Sequence, residues 1–218
     1  MSVAGIDFFD VDHTITRRSS GARFVSLAVR RGIVPRRVLL VMPLYSVTYR
    51  LGMFRLKDYK AGFPYLRGIS RATMEEIARE SFERLLRGDI YKDAASLIEE
   101  NRRNGRTLAI ASSSLDLILK PLADFLGIKT VIATRLEFAG ETCTGRVDGI
   151  PMFRREKKKR VLEYISALGE DPRECSFYTD SIFDAPLLEA VGHPFAVNPD
   201  IRLRKLARRN GWPVMTLS

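Results

Sequence analysis

The sequence predicts an α/β fold, in which a parallel sheet carries helices on both faces and a helical insertion follows the first strand. Three observations lead to this prediction. In the second half of the chain, continuously apolar runs, which are typical of buried parallel strands, alternate with helical patterns. Those helical patterns stop at glycine, a common residue just past a helix. Residues 10–106, between the first and second apolar runs, carry helical rather than strand patterns.

The individual elements of the sheet region follow in chain order. The predicted strands are Ala4–Phe9, Thr107–Ala111, Lys129–Thr134, Cys175–Thr179 and a shorter candidate, Phe195–Val197. Between them, helices are predicted over Asp93–Asn104, Ser114–Leu126 and Lys157–Leu168. Strand and helix alternate here as they do in a parallel α/β sheet.

The insertion is predicted to cover roughly residues 17–90. It contains the most apolar stretch of the chain, Val38–Phe54, which is short for a membrane span of about 20 residues. We interpret that stretch as a buried helix. A surface that touches a membrane or a lipidic substrate is the alternative, because Arg36 and Arg37 precede it. Thr73 and Glu76 predict a capping box. The expected helices are Phe24–Arg31, Arg36–Leu51 and Thr73–Arg87.

Composition restricts the class of protein. The chain has 218 residues, of which 45% are hydrophobic and 28% charged, as in ordinary globular proteins. We expect the cytoplasm, because the N-terminus does not resemble a secretory signal. Cys143 and Cys175 are the only cysteines, so a structural zinc is excluded and no disulfide is expected. The formal net charge of +10 predicts anionic partners: phosphorylated metabolites, nucleic acid or lipid headgroups.

Polar residues follow three of the predicted strands. Asp10 and Asp12 come after the first, Ser112 after the second and Asp180 after the fourth. The carboxyl ends of parallel strands share one edge of a sheet, where ligands bind. Asp184 lies one helical turn beyond Asp180, so several carboxylates are expected to meet there. Closely packed carboxylates require a cation, and a donor set made only of oxygen suits Mg²⁺.

These residue types permit a covalent phosphoryl-transfer chemistry. A carboxylate nucleophile beside a second carboxylate that moves a proton allows an aspartyl-phosphate route. The Ser112 hydroxyl can donate to a phosphate oxygen, and a helix that starts near Ser114 would direct its amides there. A cation and a lysine would balance the charge of the transferring group.

Taken together, these motifs resemble those of the haloacid dehalogenase-like superfamily, and specifically its phosphoserine-phosphatase-like subclass (subfamily IB). The resemblance implies a Rossmann-like core of residues 1–16 and 91–218 and a helical cap domain over residues 17–90. It also implies a Mg²⁺-dependent phosphatase that acts on a small phosphorylated substrate. The matching segments are Phe8–Thr14 (FFDVDHT), Leu108–Ser114 (LAIASSS), Thr179–Gly192 (TDSIFDAPLLEAVG) and the tail Ala196–Trp212.

The resemblance assigns a role to each residue of the site. Asp10 is the nucleophile, and Asp12 is the general acid and base. Mg²⁺ is held by the Asp10 carboxylate, the backbone carbonyl of Asp12 and Asp180, and Asp184 supports it from outside the coordination sphere. Ser112 binds the phosphate.

The third motif supplies a phosphate-binding lysine. Its spacing from Gly169 and Asp180 places it at Lys157, with Lys158 as the close alternative. The threonine of the first motif, Thr14, is expected to hold its loop by hydrogen bonding. His13 is expected to make a packing or cap contact rather than to take part in catalysis.

Alternatives to hydrolysis of a small phosphate ester remain. One is a phosphatase that acts on a lipid-linked phosphate in peripheral contact with an anionic membrane. Another is a non-catalytic module that binds anions or nucleic acid, for which the charge of +10 is the only support. No nucleic-acid motif is recognisable, so no specific nucleic acid is expected. Phosphoryl transfer to an acceptor other than water would use the same residues.

Overall fold

The computed structural model describes residues 5–40 and 62–218, and its main sheet has six parallel strands. The strand order is β3-β2-β1-β6-β7-β8, which places β1 near the centre between β2 and β6. Two further strands, β4 and β5, form a separate antiparallel hairpin. The strands are β1 (Ile6–Phe9), β2 (Thr107–Leu115), β3 (Thr130–Thr134), β4 (Leu136–Ala139), β5 (Thr142–Val147), β6 (Ser176–Thr179), β7 (His193–Val197) and β8 (Val214–Met215).

Helices cover both faces of this sheet, as predicted. Adjacent strand residues point to opposite faces, so Phe9 packs in one apolar cluster and Phe8 in another. The Phe9 cluster includes residues of α3 and α4, and the Phe8 cluster includes residues of α5, α6 and α7. The helices are α1 (Ser20–Arg30), α2 (Arg71–Ser81), α3 (Lys92–Arg103), α4 (Asp116–Phe125), α5 (Arg155–Ala167), α6 (Ala185–Leu188) and α7 (Ile201–Asn210).

The described residues between β1 and β2 form helices and turns and add no strand to the main sheet. Helices α1 and α2 pack together through Phe24, Met74 and Ile77, which are buried. A π-helical turn, Phe82–Leu86, continues α2, so the helix expected over Thr73–Arg87 is present in a modified form. The predicted domain bounds of 17–90 stay a prediction. The helix expected over Arg36–Leu51 and the apolar stretch Val38–Phe54 fall largely on residues 41–61, outside the described residues.

The start of α2 corrects one prediction. Ser70, not Thr73, is the N-cap residue, because its hydroxyl accepts a hydrogen bond from the Thr73 amide at 3.1 Å. The helix therefore begins one turn earlier, and the capping box of Thr73 with Glu76 is wrong. Both Ser70 and Thr73 are residue types that favour an N-cap, and only the course of the chain before them distinguishes the two.

The β4–β5 hairpin was not predicted. Its strand β5 pairs with the segment before α2: the Phe63 amide donates to the Gly145 carbonyl at 2.7 Å, and the Cys143 amide donates to the Ile69 carbonyl at 2.9 Å. The hairpin thereby attaches the helical region to the sheet domain through backbone hydrogen bonds. Cys143 and Cys175 are buried and free. Within the described ranges, no helix combines the length and the apolar character that a membrane span requires.

Candidate active site

Three strand ends bring the predicted site residues to one edge of the sheet. Asp10 directly follows β1, and its amide donates to the carbonyl of Tyr178 on β6 at 2.9 Å. Asp180 directly follows β6, and Ser112 lies in β2. Because β2, β1 and β6 are neighbours and parallel, their carboxyl ends form one crevice.

The Asp10 carboxylate is buried, with a residue exposure of 3%. One of its oxygens, Oδ1, accepts a hydrogen bond from the Val11 amide at 2.8 Å. The other, Oδ2, lies 3.6 Å from Lys157 Nζ. One oxygen of Asp10 is thus held by the backbone, while the other faces a buried cation.

Lys157 occupies the centre of the charged cluster. Its side chain is 1% exposed and its ammonium group lies 2.7 Å from Asp184 Oδ2. Burial by itself lowers the pKa of Lys157, but Asp10 and Asp184 together outweigh burial, so the pKa is raised and the lysine stays protonated. Lys158 is only half-buried. Of the two lysines that the sequence left open, Lys157 is the one in contact with the carboxylates.

Asp184 is held by two donors. Besides Lys157, the Thr179 hydroxyl donates to Asp184 Oδ2 at 2.7 Å. Burial raises the pKa of Asp184 to about 6, a rise that Lys157 opposes and Asp10 increases. An oxygen engaged twice in this way suits a residue that orients its neighbours.

Asp12 contacts the helical insertion. The Ser20 amide at the start of α1 donates to its Oδ1 at 2.7 Å, and the hydroxyls of Ser19 and Ser114 each donate to its Oδ2 at 3.0 Å. The amide at the N-terminus of α1 and the two hydroxyls together fix the orientation of the Asp12 side chain. The side chain bridges the β1 loop, α1 and the end of β2.

The surroundings of Ser112, near the end of β2, differ from the expected ones. Ser112 is 1% exposed, and its Oγ accepts a hydrogen bond from the Ser114 amide at 3.4 Å. The helix expected from Ser114 begins instead at Asp116, because β2 continues through Leu115 with an irregular register after Ala111. Ser112 therefore lies inside an extended segment rather than at a helix N-terminus.

The loop after Asp10 corrects the expectation for Thr14. Its hydroxyl is buried and has no hydrogen-bond partner among the described residues. Thr16 holds the loop instead, since its hydroxyl donates to the Arg18 carbonyl at 2.9 Å. His13 adopts a left-handed backbone with φ of 65°, and its Nδ1 lies 3.0 Å from the Arg17 carbonyl oxygen.

Apart from Lys157, the sequence did not single out the donors to Asp12 and Asp184. These are Ser19, Ser20, Ser114 and Thr179. Ser19 alone carried a local signal, because serine before a helical pattern favours an N-cap, and its hydroxyl does accept from the Ala22 amide at 3.3 Å. The contact between Ser114 and Asp12 joins residues 102 positions apart, and those of Ser20 with Asp12 and of Thr179 with Asp184 depend on how two loops fold back.

Comparison with known proteins shows the family of the chain. A family model described as haloacid dehalogenase-like hydrolase matches residues 8–189, from β1 to just beyond α6. The chain belongs to this family. The matched range contains all of the predicted site residues.

Related proteins of this family cover most of the chain. It is 34% identical over 215 residues to the inhibition of morphological differentiation protein of Streptomyces azureus, covering 95% of this chain and 76% of that protein. It is 28% identical over 222 residues to a histidinol-phosphatase of Neisseria meningitidis, covering 95% and 96%.

Solved structures share the fold. A Bordetella pertussis protein of unknown function superposes with a TM-score of 0.86 at 25% identity, covering 98% of this chain and 99% of that one. A substrate-bound phosphoserine phosphatase superposes with a TM-score of 0.73 at 15% identity, covering 96% and 91%.

The buried charges of the site fit a bound cation. Burial raises the pKa of Asp180 well above its ordinary value, and the nearby carboxylates of Asp10 and Asp184 add to this rise. Its carboxylate accepts no hydrogen bond from any described residue, and Lys157 is the only buried cation in that part of the chain. Among the described residues, the crevice therefore holds more buried carboxyl groups than buried cations.

The number of protein groups that could coordinate a metal distinguishes Mg²⁺ from zinc at this site. In residues 5–40 and 62–218, no three acidic, histidine or cysteine side chains form a ready-made metal cluster. Mg²⁺ does not need one, because it retains several waters and binds through one or two carboxylates together with substrate phosphate. Asp10 and Asp180, with the Asp12 carbonyl, would suffice for Mg²⁺, whereas a zinc site would require more protein ligands.

Proposed function

We propose that this protein is a Mg²⁺-dependent phosphomonoesterase that hydrolyses a small phosphorylated molecule through an aspartyl-phosphate on Asp10. The observation that carries the proposal is the position of Asp10, buried at the carboxyl end of a central strand and 3.6 Å from the buried Lys157 ammonium. Relatives named histidinol-phosphatase and phosphoserine phosphatase support small phosphate esters as the substrate class.

In the first step, an oxygen of Asp10 attacks phosphorus and the ester P–O bond breaks. Asp12, in its protonated form, gives its proton to the leaving oxygen, so the alcohol departs neutral. Lys157 and Ser112 bind the phosphoryl oxygens and stabilise the charge that they carry in the transition state.

Asp12 is a carboxylate after the first step, and in the second step it acts as a base. It removes a proton from a water molecule, whose oxygen attacks the phosphorus of the aspartyl-phosphate. The bond between Asp10 and phosphorus breaks, inorganic phosphate leaves, and both aspartates regain their starting states. Ser19, Ser20 and Ser114 orient Asp12 through their hydrogen bonds.

When bound, Mg²⁺ would supply charge neutralisation for the phosphoryl group. Asp10, the Asp12 carbonyl and Asp180 would hold it, and Asp184 would fix Lys157 beside them. We further propose that residues 17–90 form a cap over the crevice that selects the substrate. The contact between Ser20 and Asp12 supports this, because it links α1 directly to the acid–base group. We propose the cytoplasm as its compartment.

The test is phosphate release from p-nitrophenyl phosphate and a panel of phosphorylated metabolites, in Mg²⁺ and in EDTA. Asp10→Asn should abolish turnover while the protein stays folded. Asp124→Asn, the same change at an exposed carboxylate paired with Lys120, is the matched control and should retain full activity. Turnover that survives in Asp10→Asn, or that is unaffected by EDTA, would refute the mechanism.

A further inference from the structure

Helix α7 presents an exposed face of unusual charge. Leu203 and Ala207 bury one side of the helix against the sheet. Ile201, Arg204, Lys205 and Arg208 are spaced as i, i+3, i+4 and i+7, so they share a stripe on the outward side, and all four are exposed. We call these four residues the α7 face.

The cations of the α7 face lack acidic partners. Arg204, Lys205 and Arg208 form no ion pair with any residue in the described ranges, and α7 itself contains no acidic residue. Three other helices each pair one cation with an acidic residue of the same helix. Ion pairs of this kind join Arg102 with Glu99 in α3, Lys120 with Asp124 in α4 and Lys159 with Glu163 in α5.

This arrangement does not serve the stability of the helix. Arg204 and Arg208 are like charges at i and i+4, a spacing that destabilises a helix. A positive charge in the last turn is favourable to the helix dipole, which accounts for Arg208. It does not account for Arg204 and Lys205, which lie further from the C-terminus. An external anionic partner gives these charges a role.

The α7 face also carries an exposed apolar residue. Ile201 is 75% exposed, although isoleucine is among the most frequently buried residue types. It lies at the beginning of α7, directly after Asp200, whose amide donates to the Asp180 carbonyl at 2.8 Å. The apolar end of the face is therefore next to the rim of the candidate active site.

We propose that the α7 face docks the protein on an anionic membrane surface. Clustered lysine and arginine attract acidic headgroups, and an exposed isoleucine beside them can enter the headgroup–acyl boundary. Nucleic acid would use the cations but gains nothing from Ile201, and the face has no aromatic side chain on which a base could stack. This proposal concerns a partner and does not depend on phosphatase activity.

The test measures partition of the full chain onto vesicles by flotation. Native protein should bind vesicles of phosphatidylcholine with phosphatidylglycerol at low salt, and not vesicles of phosphatidylcholine alone. Replacing Arg204, Lys205 and Arg208 together with glutamine should weaken binding about 100-fold, since each basic residue contributes about fivefold near such a surface. Ile201→Ser should weaken it by about tenfold, from lost apolar burial.

A matched control removes the same number of charges elsewhere. Lys92, Arg103 and Lys129 are exposed and lie outside α7, so their triple replacement with glutamine should change vesicle binding only a few-fold. Equal loss in the two triple variants, or no binding of native protein to anionic vesicles, would overturn the proposal. It would also be overturned if Ile201→Ser left vesicle binding unchanged while the α7 triple variant lost affinity for a single-stranded oligonucleotide. Phosphate release assayed in parallel keeps this outcome separate from that of the catalytic proposal.

Discussion

Replacing Lys157 with methionine would remove a positive charge from between two buried carboxylates. The lysine side chain is 1% exposed and contacts Asp184 at 2.7 Å and Asp10 at 3.6 Å. Methionine keeps most of the volume, so the change in charge dominates over the change in packing. Water is largely excluded from the cluster and cannot replace the lost charge.

The expected cost follows from that burial. Removing one partner of a buried ion pair costs about 3–5 kcal/mol of unfolding free energy, because the remaining charge stays buried and unpaired. For a chain of this size, such a loss corresponds to a decrease in Tm of roughly 6 to 20 °C. In the proposed mechanism Lys157 binds the transferring phosphoryl group, so its loss should lower kcat by at least about 100-fold.

Urea denaturation in EDTA at pH 8 measures the first effect, and steady-state phosphate release in Mg²⁺ measures the second. The double variant Lys157→Met with Asp184→Asn removes both charges of the closest pair. It should regain a large part of the stability, since replacing both partners of a buried pair can be nearly neutral. It should not regain activity.

Lys158→Met is the matched control, because Lys158 is the half-buried neighbour in the same helix. It should leave stability and kcat close to native values. Unchanged stability of Lys157→Met would refute the argument from buried charge. Loss of activity in Lys158→Met with a normal Lys157→Met would refute the assignment of the lysine.

Three further predictions concern other charged and polar groups. Because burial raises the pKa of Asp184 from 3.8 to about 6, the folded state binds that proton more tightly than the unfolded state. Stability in EDTA should therefore fall as pH rises from about 4 to about 7, and Asp184→Asn should reduce this fall by roughly 3 kcal/mol in urea titrations at several pH values. Arg106→Met should cost about 3–5 kcal/mol in the same assay without changing kcat, because Arg106 pairs at 2.5 Å with the buried Asp7, at the opposite end of β1 from the site. Ser114→Ala should lower kcat by about tenfold and alter the pH profile of kcat, because Asp12 loses one of its donors.

The results that would contradict these three predictions are distinct. A pH dependence of stability that is identical in native protein and Asp184→Asn would contradict the first. A decrease in kcat of Arg106→Met under conditions where it is fully folded would contradict the second. For the third, a change in KM alone, with kcat and its pH profile as in native protein, would show that Ser114 serves binding rather than the orientation of Asp12.

The parts of the fold that were predicted depend on signals within short segments. Continuous apolar runs are sufficient to locate strands such as β1 and β6, since both of their faces are buried. Asp10 and Asp180 were placed correctly at one edge because the parallel arrangement dictates where strand ends meet. The β4–β5 hairpin was not predicted. It is held by backbone hydrogen bonds to the residues before α2, and backbone pairing of this kind leaves no pattern in the sequence of the hairpin.

By itself, the sequence determined the α/β sheet, the set of acidic residues at its carboxyl edge and the family to which the chain belongs. These depend on residue type and order, which local periodicity and motif spacing express directly. Only the tertiary structure decided that Lys157 rather than Lys158 meets the carboxylates, and that α1 and β2 supply the donors to Asp12. Both depend on the direction of side chains and on contacts between distant segments, which the packing of the whole chain establishes.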